Sequence, residues 1–192
     1  MWCTADVGWI TGHTYMCYGP LLNGATTLMY EGAIDYPTPS RIWDIINKNK
    51  VDVLYTAPTA IRILMAYGDK WLKKSNSLKV LGTVGEPIDV KTWKWYFEKV
   101  GKSRCPIIDT WWQTETGGTL VTSLPGVGPF KPSYAGRSFP GTRHIVVDEK
   151  GKKLKDGEKG YLVQSSPFFP GLLTGVWKNP KRYEGYWKFG KY

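Results

Sequence analysis

Residues 109–118, with the sequence DTWWQTETGG, combine the side-chain types that bind a small polar molecule beside an apolar wall. Two tryptophans stand directly before a run of hydroxyl, amide and carboxylate side chains. The two isoleucines at 107–108 suit a buried strand, whereas residues 113–116 lack the alternation of a half-buried one. The pattern predicts a loop at the carboxyl end of a strand, which is where parallel α/β sheets bind ligands.

Each of these side chains also has an ordinary structural explanation. Hydroxyl-rich turns form for local hydrogen-bonding reasons, so Thr114 and Thr116 could either close a turn or donate to a phosphate. Glu115 could hold a divalent cation through its oxygens or be a solvated acid. Trp111 and Trp112 could both be core residues. Neighbouring strand residues point to opposite faces, however, so one indole could pack inward while the other restricts a pocket to a very small acyl group.

A second strand end carries the sequence VGEP at residues 84–87. Its glycine lets a flat ligand approach the backbone closely, and backbone N–H and C=O groups can then bind the edge of a heterocycle. The same four residues are also typical of a tight turn that leads into a helix, which is the commoner role of such a sequence. Taken alone, VGEP leaves both interpretations open.

Strand-like and helix-like segments alternate through the first two thirds of the chain. Strands are predicted at residues 51–56, 79–84 and 105–109, and helices at 37–50, 58–67 and 89–101. Pro58 suits a first helical turn and Asp89 suits an N-cap. Short connections between such segments predict parallel βαβ units, and hence an α/β fold with helices flanking a parallel-rich sheet.

The pattern changes after Leu124. Prolines and glycines are frequent at residues 125–132, and short strand-like segments follow at 144–147 and 160–164. We therefore predict an α/β subdomain over residues 1–124 and a small β-rich, barrel-like subdomain over residues 125–192.

The composition argues against several classes of protein. The mean hydropathy is −0.33, and no apolar run approaches the roughly 20 residues of a membrane-spanning helix. No signal peptide is recognisable, so a cytoplasmic location is expected. The three cysteines show no CxxC spacing, and neither of the two histidines has a cysteine or histidine at ligand spacing, which argues against a disulfide framework and a zinc site.

The net charge of +10 could indicate a nucleic-acid partner, because lysine and arginine neutralise phosphates. The lysines, however, are concentrated in turns and helix ends, as at residues 150–155 and 178–191, and do not line one helix face. A solvated surface or attraction of polyanionic small molecules explains them as well. No nucleic-acid or membrane partner is therefore expected.

Four motifs together resemble one family. VGEPI at residues 84–88 and DTWWQTETGG are preceded by GWITGH at residues 8–13 and YTAPTAIR at residues 55–62. This order resembles the AMP-forming acetyl-CoA synthetases of the adenylate-forming superfamily, along the length of the chain. The resemblance implies part of the family's large N-terminal domain. It also implies a ligase that activates acetate with MgATP to acetyl-AMP and pyrophosphate, then transfers the acetyl group to coenzyme A.

The resemblance also implies the residues that contact acetate and coenzyme A. The acetate pocket of the family corresponds to Trp9, Ile10, Thr11, Val84 and Trp112. Of these, Trp112 would be the wall that limits the acyl chain. Ala57 corresponds to a position that lies beside the pantetheine chain of coenzyme A in the family.

The nucleotide and metal contacts follow from the same resemblance. The adenine-binding residues correspond to Gly85, Glu86 and Pro87 on one side, and to Asp109, Thr110 and Trp111 on the other. Gln113 and Thr114 correspond to contacts near the acetate carboxylate and the AMP phosphate. Glu115 corresponds to the Mg²⁺ ligand, and Thr114 and Glu115 are therefore the predicted catalytic residues.

Several groups of the family are not found in these 192 residues. They are the phosphate loop with its lysine, the Thr-Gly-Asp whose aspartate binds ribose, a later arginine, and the small C-terminal domain with the catalytic lysine. We therefore expect a central fragment that has no synthetase activity alone. A propionyl-CoA or other short-chain acyl-CoA synthetase is the nearest alternative, and a degenerate nucleotide-binding or interaction module is the alternative outside enzymes.

Overall fold

The computed structural model describes residues 1–190, whose main sheet has six strands in sequence order. The strands are β1 (Trp2–Cys3), β2 (Val53–Thr56), β3 (Val80–Thr83), β4 (Ile107–Trp111), β5 (Val121–Thr122) and β6 (Arg137–Ser138). Strands β1 to β4 are parallel, and β5 and β6 extend the sheet in antiparallel fashion. The predicted α/β fold with a parallel-rich sheet is confirmed.

Helices connect and flank these strands. They are α1 (Ile10–Gly12), α2 (Gly19–Leu22), α3 (Arg41–Lys48), α4 (Pro58–Tyr67), α5 (Val90–Trp95) and α6 (Pro180–Gly185). A π-helical stretch, His13–Tyr18, joins α1 to α2, and another, Tyr96–Val100, continues α5. Short 3₁₀ turns cover Asp69–Trp71 and Thr114–Thr116. Within residues 1–190 we find no helix with the length and apolar character needed to cross a membrane.

Local sequence signals account for the ends of several helices. Helix α4 begins at Pro58 and stops before Gly68, whose φ of 88° is accessible to glycine. Helix α5 is capped as predicted, because the Asp89 carboxylate accepts a 2.9 Å hydrogen bond from the backbone N–H of Thr92. Helix α3 begins at Arg41, four residues later than predicted, since Pro39 disfavours a helical conformation at the residue before it.

The parallel sheet packs side chains on both faces. On β2, Leu54 belongs to the main core with residues of α3, α4 and α5, whereas the next residue, Tyr55, joins a smaller cluster with Cys3, Met16 and Val84. The alternation follows from the two-residue period of a strand. The smaller cluster lies next to the carboxyl ends of the strands.

A separate two-stranded antiparallel sheet forms in the last third of the chain, from β7 (His144–Val147) and β8 (Tyr161–Gln164). The predicted β-rich region thus contains antiparallel strands. Strand β6, however, lies beyond the predicted boundary at residue 124 and pairs with β5 of the main sheet. The division at residue 124 stays a prediction, and the last two residues of the predicted subdomain, 191 and 192, lie outside the described part.

Candidate active site

The carboxyl ends of all four parallel strands open into one cleft of 990 Å³. Thr4 follows β1, Ala57 follows β2, Val84 follows β3 and Trp112 follows β4, and all four residues line this cleft. Parallel strands bring their carboxyl ends to the same edge of a sheet, which explains why motifs far apart in sequence meet here.

The structure brings the predicted acetate-pocket residues together. The cleft is lined by Trp9, Ile10, Thr11, Val84 and Trp112, and also by Ala57, Gly85, Glu86, Gln113 and Thr114. Trp9 is 71% exposed at the rim, whereas Trp112 is half-buried and packs against the smaller cluster. One indole is therefore available at the entrance and the other forms part of the wall.

The predicted adenine-binding residues surround a smaller neighbouring cavity of 270 Å³. It is lined by Gly85, Glu86, Pro87, Asp109, Thr110, Trp111 and Trp112. Gly85 has a φ of 93°, which lets the backbone turn sharply after β3. Three of the lining residues, Gly85, Glu86 and Trp112, also line the large cleft, so the two cavities share a wall.

The Glu86 carboxylate faces the protein and is fully engaged there. It accepts hydrogen bonds from the backbone N–H of Thr59 at 2.7 Å and from the Thr59 hydroxyl, and it pairs with Arg62 at 2.7 Å. The Thr59 hydroxyl, aided by Arg62, holds the pKa of the Glu86 carboxyl below its ordinary value. Glu86 therefore anchors the VGEP turn to α4, and the backbone of the turn is the part available to a ligand.

Asp109 and Thr110 are likewise engaged with the sheet. Asp109 is buried and accepts a 2.7 Å hydrogen bond from the Thr83 hydroxyl. The Thr110 hydroxyl donates to the Thr83 carbonyl at 2.8 Å and accepts from the Tyr55 hydroxyl at 2.6 Å. Burial raises the pKa of the Asp109 carboxyl despite the hydrogen bond from Thr83. These two side chains brace the strand end that precedes the tryptophans.

Replacing Asp109 with asparagine in the full-length protein is expected to cause no loss of stability at pH 7. The amide oxygen still accepts from Thr83, while a buried charge disappears. Asp109→Ala, in contrast, leaves the Thr83 hydroxyl unpaired and is expected to cost about 1–3 kcal/mol. Urea unfolding midpoints measure both changes.

The pH dependence provides a further check on Asp109. A raised pKa in the folded state means that the folded wild type gains stability as the pH falls through that pKa. The stability of Asp109→Asn relative to wild type should therefore decrease toward acid pH. Equal destabilisation by the asparagine and alanine variants would contradict this account.

Glu115 lies on the other side of the Thr114–Thr116 turn and lines a third cavity of 370 Å³. Its carboxylate accepts a 2.6 Å hydrogen bond from the Tyr186 hydroxyl. Thr114 lines the large cleft, so the turn separates Thr114 and Glu115 between two cavities, and Gln113 lines both. The Thr116 hydroxyl accepts from the Gln113 N–H at 3.0 Å and closes the turn. Of the two roles predicted for Thr116, closing a turn or donating to a phosphate, the structure shows the first.

Two groups of residues near the cleft were not foreseen from the sequence. Thr59 and Arg62 stand three residues apart on α4 and hold Glu86, a spacing that places them on one helix face. Tyr15 and Tyr55 pack behind Trp112. The helical spacing within APTAIR could have indicated the first pair, whereas nothing in the sequence relates Tyr15 to Trp112.

The described residues contain no group of three or more histidine, cysteine, aspartate or glutamate side chains placed to hold a metal ion. Glu115 contributes one carboxylate, which lines the 370 Å³ cavity next to the large cleft. Mg²⁺ commonly binds through one or two carboxylates together with substrate phosphates. The chemistry of Glu115 therefore fits a site in which phosphates supply the other ligands.

Comparison with known proteins agrees with this architecture. An acetyl-coenzyme A synthetase of Chlorobaculum tepidum is 53% identical over 188 residues, and one of Xanthobacter autotrophicus is 54% identical over 185 residues. These matches cover 96% and 95% of this chain, and the chain spans 28% of the length of each relative.

A solved structure has the same fold. The crystal structure of a Brucella canis acyl-CoA synthetase superposes with a TM-score of 0.81 at 35% identity, covering 92% of this chain and 32% of that protein. The family described as AMP-binding enzyme matches residues 1–177. With the cleft at the carboxyl ends of β1 to β4 and a family match over most of its length, the chain belongs to the AMP-binding enzymes.

Proposed function

We propose that this chain is the central part of an AMP-forming acetate–CoA ligase. The observation that carries the proposal is the cleft at the four strand ends, where Trp112 forms a wall beside the polar residues Gln113 and Thr114. The acetyl-coenzyme A synthetase relatives at 53% and 54% identity support acetate as the substrate. ATP, Mg²⁺ and coenzyme A are the other reactants of this proposed enzyme.

The proposed chemistry has two steps. In the first, a carboxylate oxygen of acetate attacks the α-phosphorus of ATP, and pyrophosphate leaves. In the second, the thiol sulfur of coenzyme A, as thiolate, attacks the acetyl carbonyl, and AMP leaves with the bonding electrons. Binding both reactants in one cleft lowers the barrier of each step, because the reacting atoms no longer have to meet by diffusion.

The lining residues account for acetate binding in this scheme. The methyl group of acetate would pack in the apolar part formed by Trp9, Ile10, Val84 and Trp112. The carboxylate would face Gln113 and Thr114, whose amide and hydroxyl groups can donate hydrogen bonds. Ala57, a small residue on the same cleft, leaves room for the pantetheine chain of coenzyme A.

The nucleotide would bind where the large cleft and the 270 Å³ cavity adjoin. The adenine would lie between the backbone of the VGEP turn and the indole of Trp111. We assign Glu115 as the carboxylate that holds Mg²⁺ together with the phosphates, and a bound Mg²⁺ would neutralise charge that builds on the α-phosphate and the pyrophosphate. Engagement of Glu86 with Thr59 and Arg62 would fix the turn before the nucleotide arrives.

The test uses the full-length protein, because the chain spans only 28% of the length of its relatives. Purified protein with MgATP is supplied with acetate, propionate or butyrate, and pyrophosphate, AMP and acyl-CoA are measured. Acetate-dependent pyrophosphate release, followed by acetyl-CoA and AMP only when coenzyme A is present, supports the ligase. A higher kcat/KM with propionate would favour a propionyl-CoA synthetase instead, and nucleotide binding without turnover would favour a binding module.

Three narrower points belong to the same proposal. The isolated 192-residue chain is proposed to be inactive, which acetate-dependent pyrophosphate release by that chain would contradict. The division into subdomains 1–124 and 125–192 is proposed on the change of sequence pattern. A cytoplasmic location is proposed because the proposed substrates ATP and coenzyme A are both present in the cytoplasm.

A further inference from the structure

Trp112 stands in a stack of three aromatic rings behind the cleft. The Tyr15 ring lies with its centroid 5.3 Å from that of Trp112, at an interplanar angle of 62°. The Tyr55 ring lies 5.0 Å from Tyr15, at 57°. Tilted and edge-to-face pairs at these separations attract each other beyond their buried area. Trp112 thus rests on Tyr15, and Tyr15 rests on Tyr55.

Each tyrosine of the stack is fixed at its hydroxyl. The Tyr15 oxygen accepts a 2.8 Å hydrogen bond from the backbone N–H of Thr119 and pairs with the Thr119 hydroxyl. The Tyr55 hydroxyl donates to Thr110 at 2.6 Å, because the Thr110 hydroxyl itself donates to a carbonyl of β3. Both rings are therefore anchored at two ends, through the backbone and through the hydroxyl.

The sheet leaves a space for the Tyr55 ring. Gly82 pairs with Tyr55 across β2 and β3, and a Cβ at Gly82 would lie 2.5 Å from Cδ2 of Tyr55. Real Cβ atoms do not approach that closely, so the ring occupies room that only glycine leaves. The position of the stack is thereby set by the main sheet.

Trp112 has no comparable anchor of its own. Its Nε1 is buried and has no hydrogen-bond partner of good geometry in the described part of the chain, although it lies near the Tyr55 hydroxyl. The orientation of the indole therefore depends largely on packing, and the Tyr15 ring packs against it in an edge-to-face arrangement. Tyr15 itself does not line the large cleft.

The geometry points to Tyr15 as a positioning residue for acyl-chain selection, which acts by holding Trp112 in place and does not touch the substrate. This inference rests on the proposed acyl-CoA ligase function. If the ring of Tyr15 is removed, the indole of Trp112 can tilt away from the cleft. The site then accepts longer acyl chains, although the wall residue is still present.

The test compares Tyr15→Leu with wild type in the full-length enzyme, using kcat/KM for acetate, propionate and butyrate. One methylene in an apolar pocket changes kcat/KM by about 10–200-fold, so a loosened wall is expected to raise the propionate-to-acetate ratio about 10-fold. A purely structural loss would lower all three rates together and leave the ratio unchanged. Tyr15→Phe retains the ring and should change the ratio by less than about threefold.

Tyr18→Leu is the matched control, because Tyr18 is on the same π-helical stretch, is 58% exposed and contacts His13. Its ratio should equal that of wild type. Tyr15→Met, which fills space with a flexible side chain, serves if Tyr15→Leu does not fold. Its ratio should also rise.

A double-mutant cycle with Trp112→Gly isolates the contact. Once the indole is gone, Tyr15→Leu should no longer change the ratio, since a residue that acts through another has no separate effect. Full additivity would overturn the inference, and so would an unchanged ratio in whichever of Tyr15→Leu and Tyr15→Met folds. Failure of the wild type to activate any of the three carboxylates would instead reject the proposed function.

Discussion

Replacing Trp112 with glycine in the full-length protein is expected to shift the preference from acetate toward longer carboxylates. The indole occupies part of the cleft, and its removal opens apolar volume where the methyl group of acetate would pack. The propionate-to-acetate ratio of kcat/KM should rise by about 10–200-fold, the range for one methylene in an apolar pocket. Acyl-CoA formation with acetate, propionate, butyrate and valerate measures the shift.

Trp177→Gly provides a matched control, because it also removes an indole, but from a position that is 87% exposed. Its acyl preference should remain that of wild type. Because Trp112 is half-buried among Tyr15, Tyr55 and Val84, a measurable loss of thermal stability should accompany Trp112→Gly. An unchanged acyl preference in a folded Trp112→Gly variant would remove the assignment of the wall.

Glu115→Gln is expected to lower the rate of acetate-dependent pyrophosphate release by about 100-fold or more, as is typical when a group that stabilises transition-state charge is lost. The amide has the same size and can still accept a hydrogen bond from Tyr186, so the fold should be retained. The lost negative charge weakens the hold on Mg²⁺, and the concentration of Mg²⁺ needed for half-maximal rate should rise. A titration with Mg²⁺ at saturating ATP measures both effects.

Two further variants separate charge from local structure. Glu98→Gln removes an exposed carboxylate from the π-helical stretch after α5 and should leave the rate unchanged. Tyr186→Phe removes the hydroxyl that donates to Glu115 and should leave most of the rate. A rate for Glu115→Gln within a factor of about three of wild type would contradict a metal-binding role.

The fold of the α/β part could be predicted because its signals are local. Pro58 and Gly68 mark the ends of α4, and Asp89 caps α5, so short-range sequence determines both helices. The start of α3 was predicted too early, because the prediction followed the apolar residues and did not take into account that Pro39 disfavours a helical conformation at residue 38. The pairing of β6 with β5 was not foreseen, since pairing between distant short strands leaves little trace in either.

For the site, too, the residue types could be predicted from the sequence, whereas the directions of the side chains could not. Composition and motif order indicated which residues would be near a ligand, and most of them line the two adjacent cavities. The direction of individual side chains was not predictable. The carboxylate of Glu86, in the VGEP turn, pairs with Arg62, and the carboxylate of Glu115 accepts a hydrogen bond from Tyr186. Each donor is more than 20 residues away in the sequence, so neither contact could be predicted.

The sequence by itself determined the family, the parallel-rich sheet and the residue types at the strand ends, since all of these rest on contiguous motifs and on periodicity. Only the tertiary structure decided how those residues are held. The contacts of Trp112 with Tyr15, of Tyr55 with Thr110 and of Glu86 with Arg62 join segments that are 24 to 97 residues apart. Such contacts depend on which strands pair and in which register, and no short stretch of sequence carries that information.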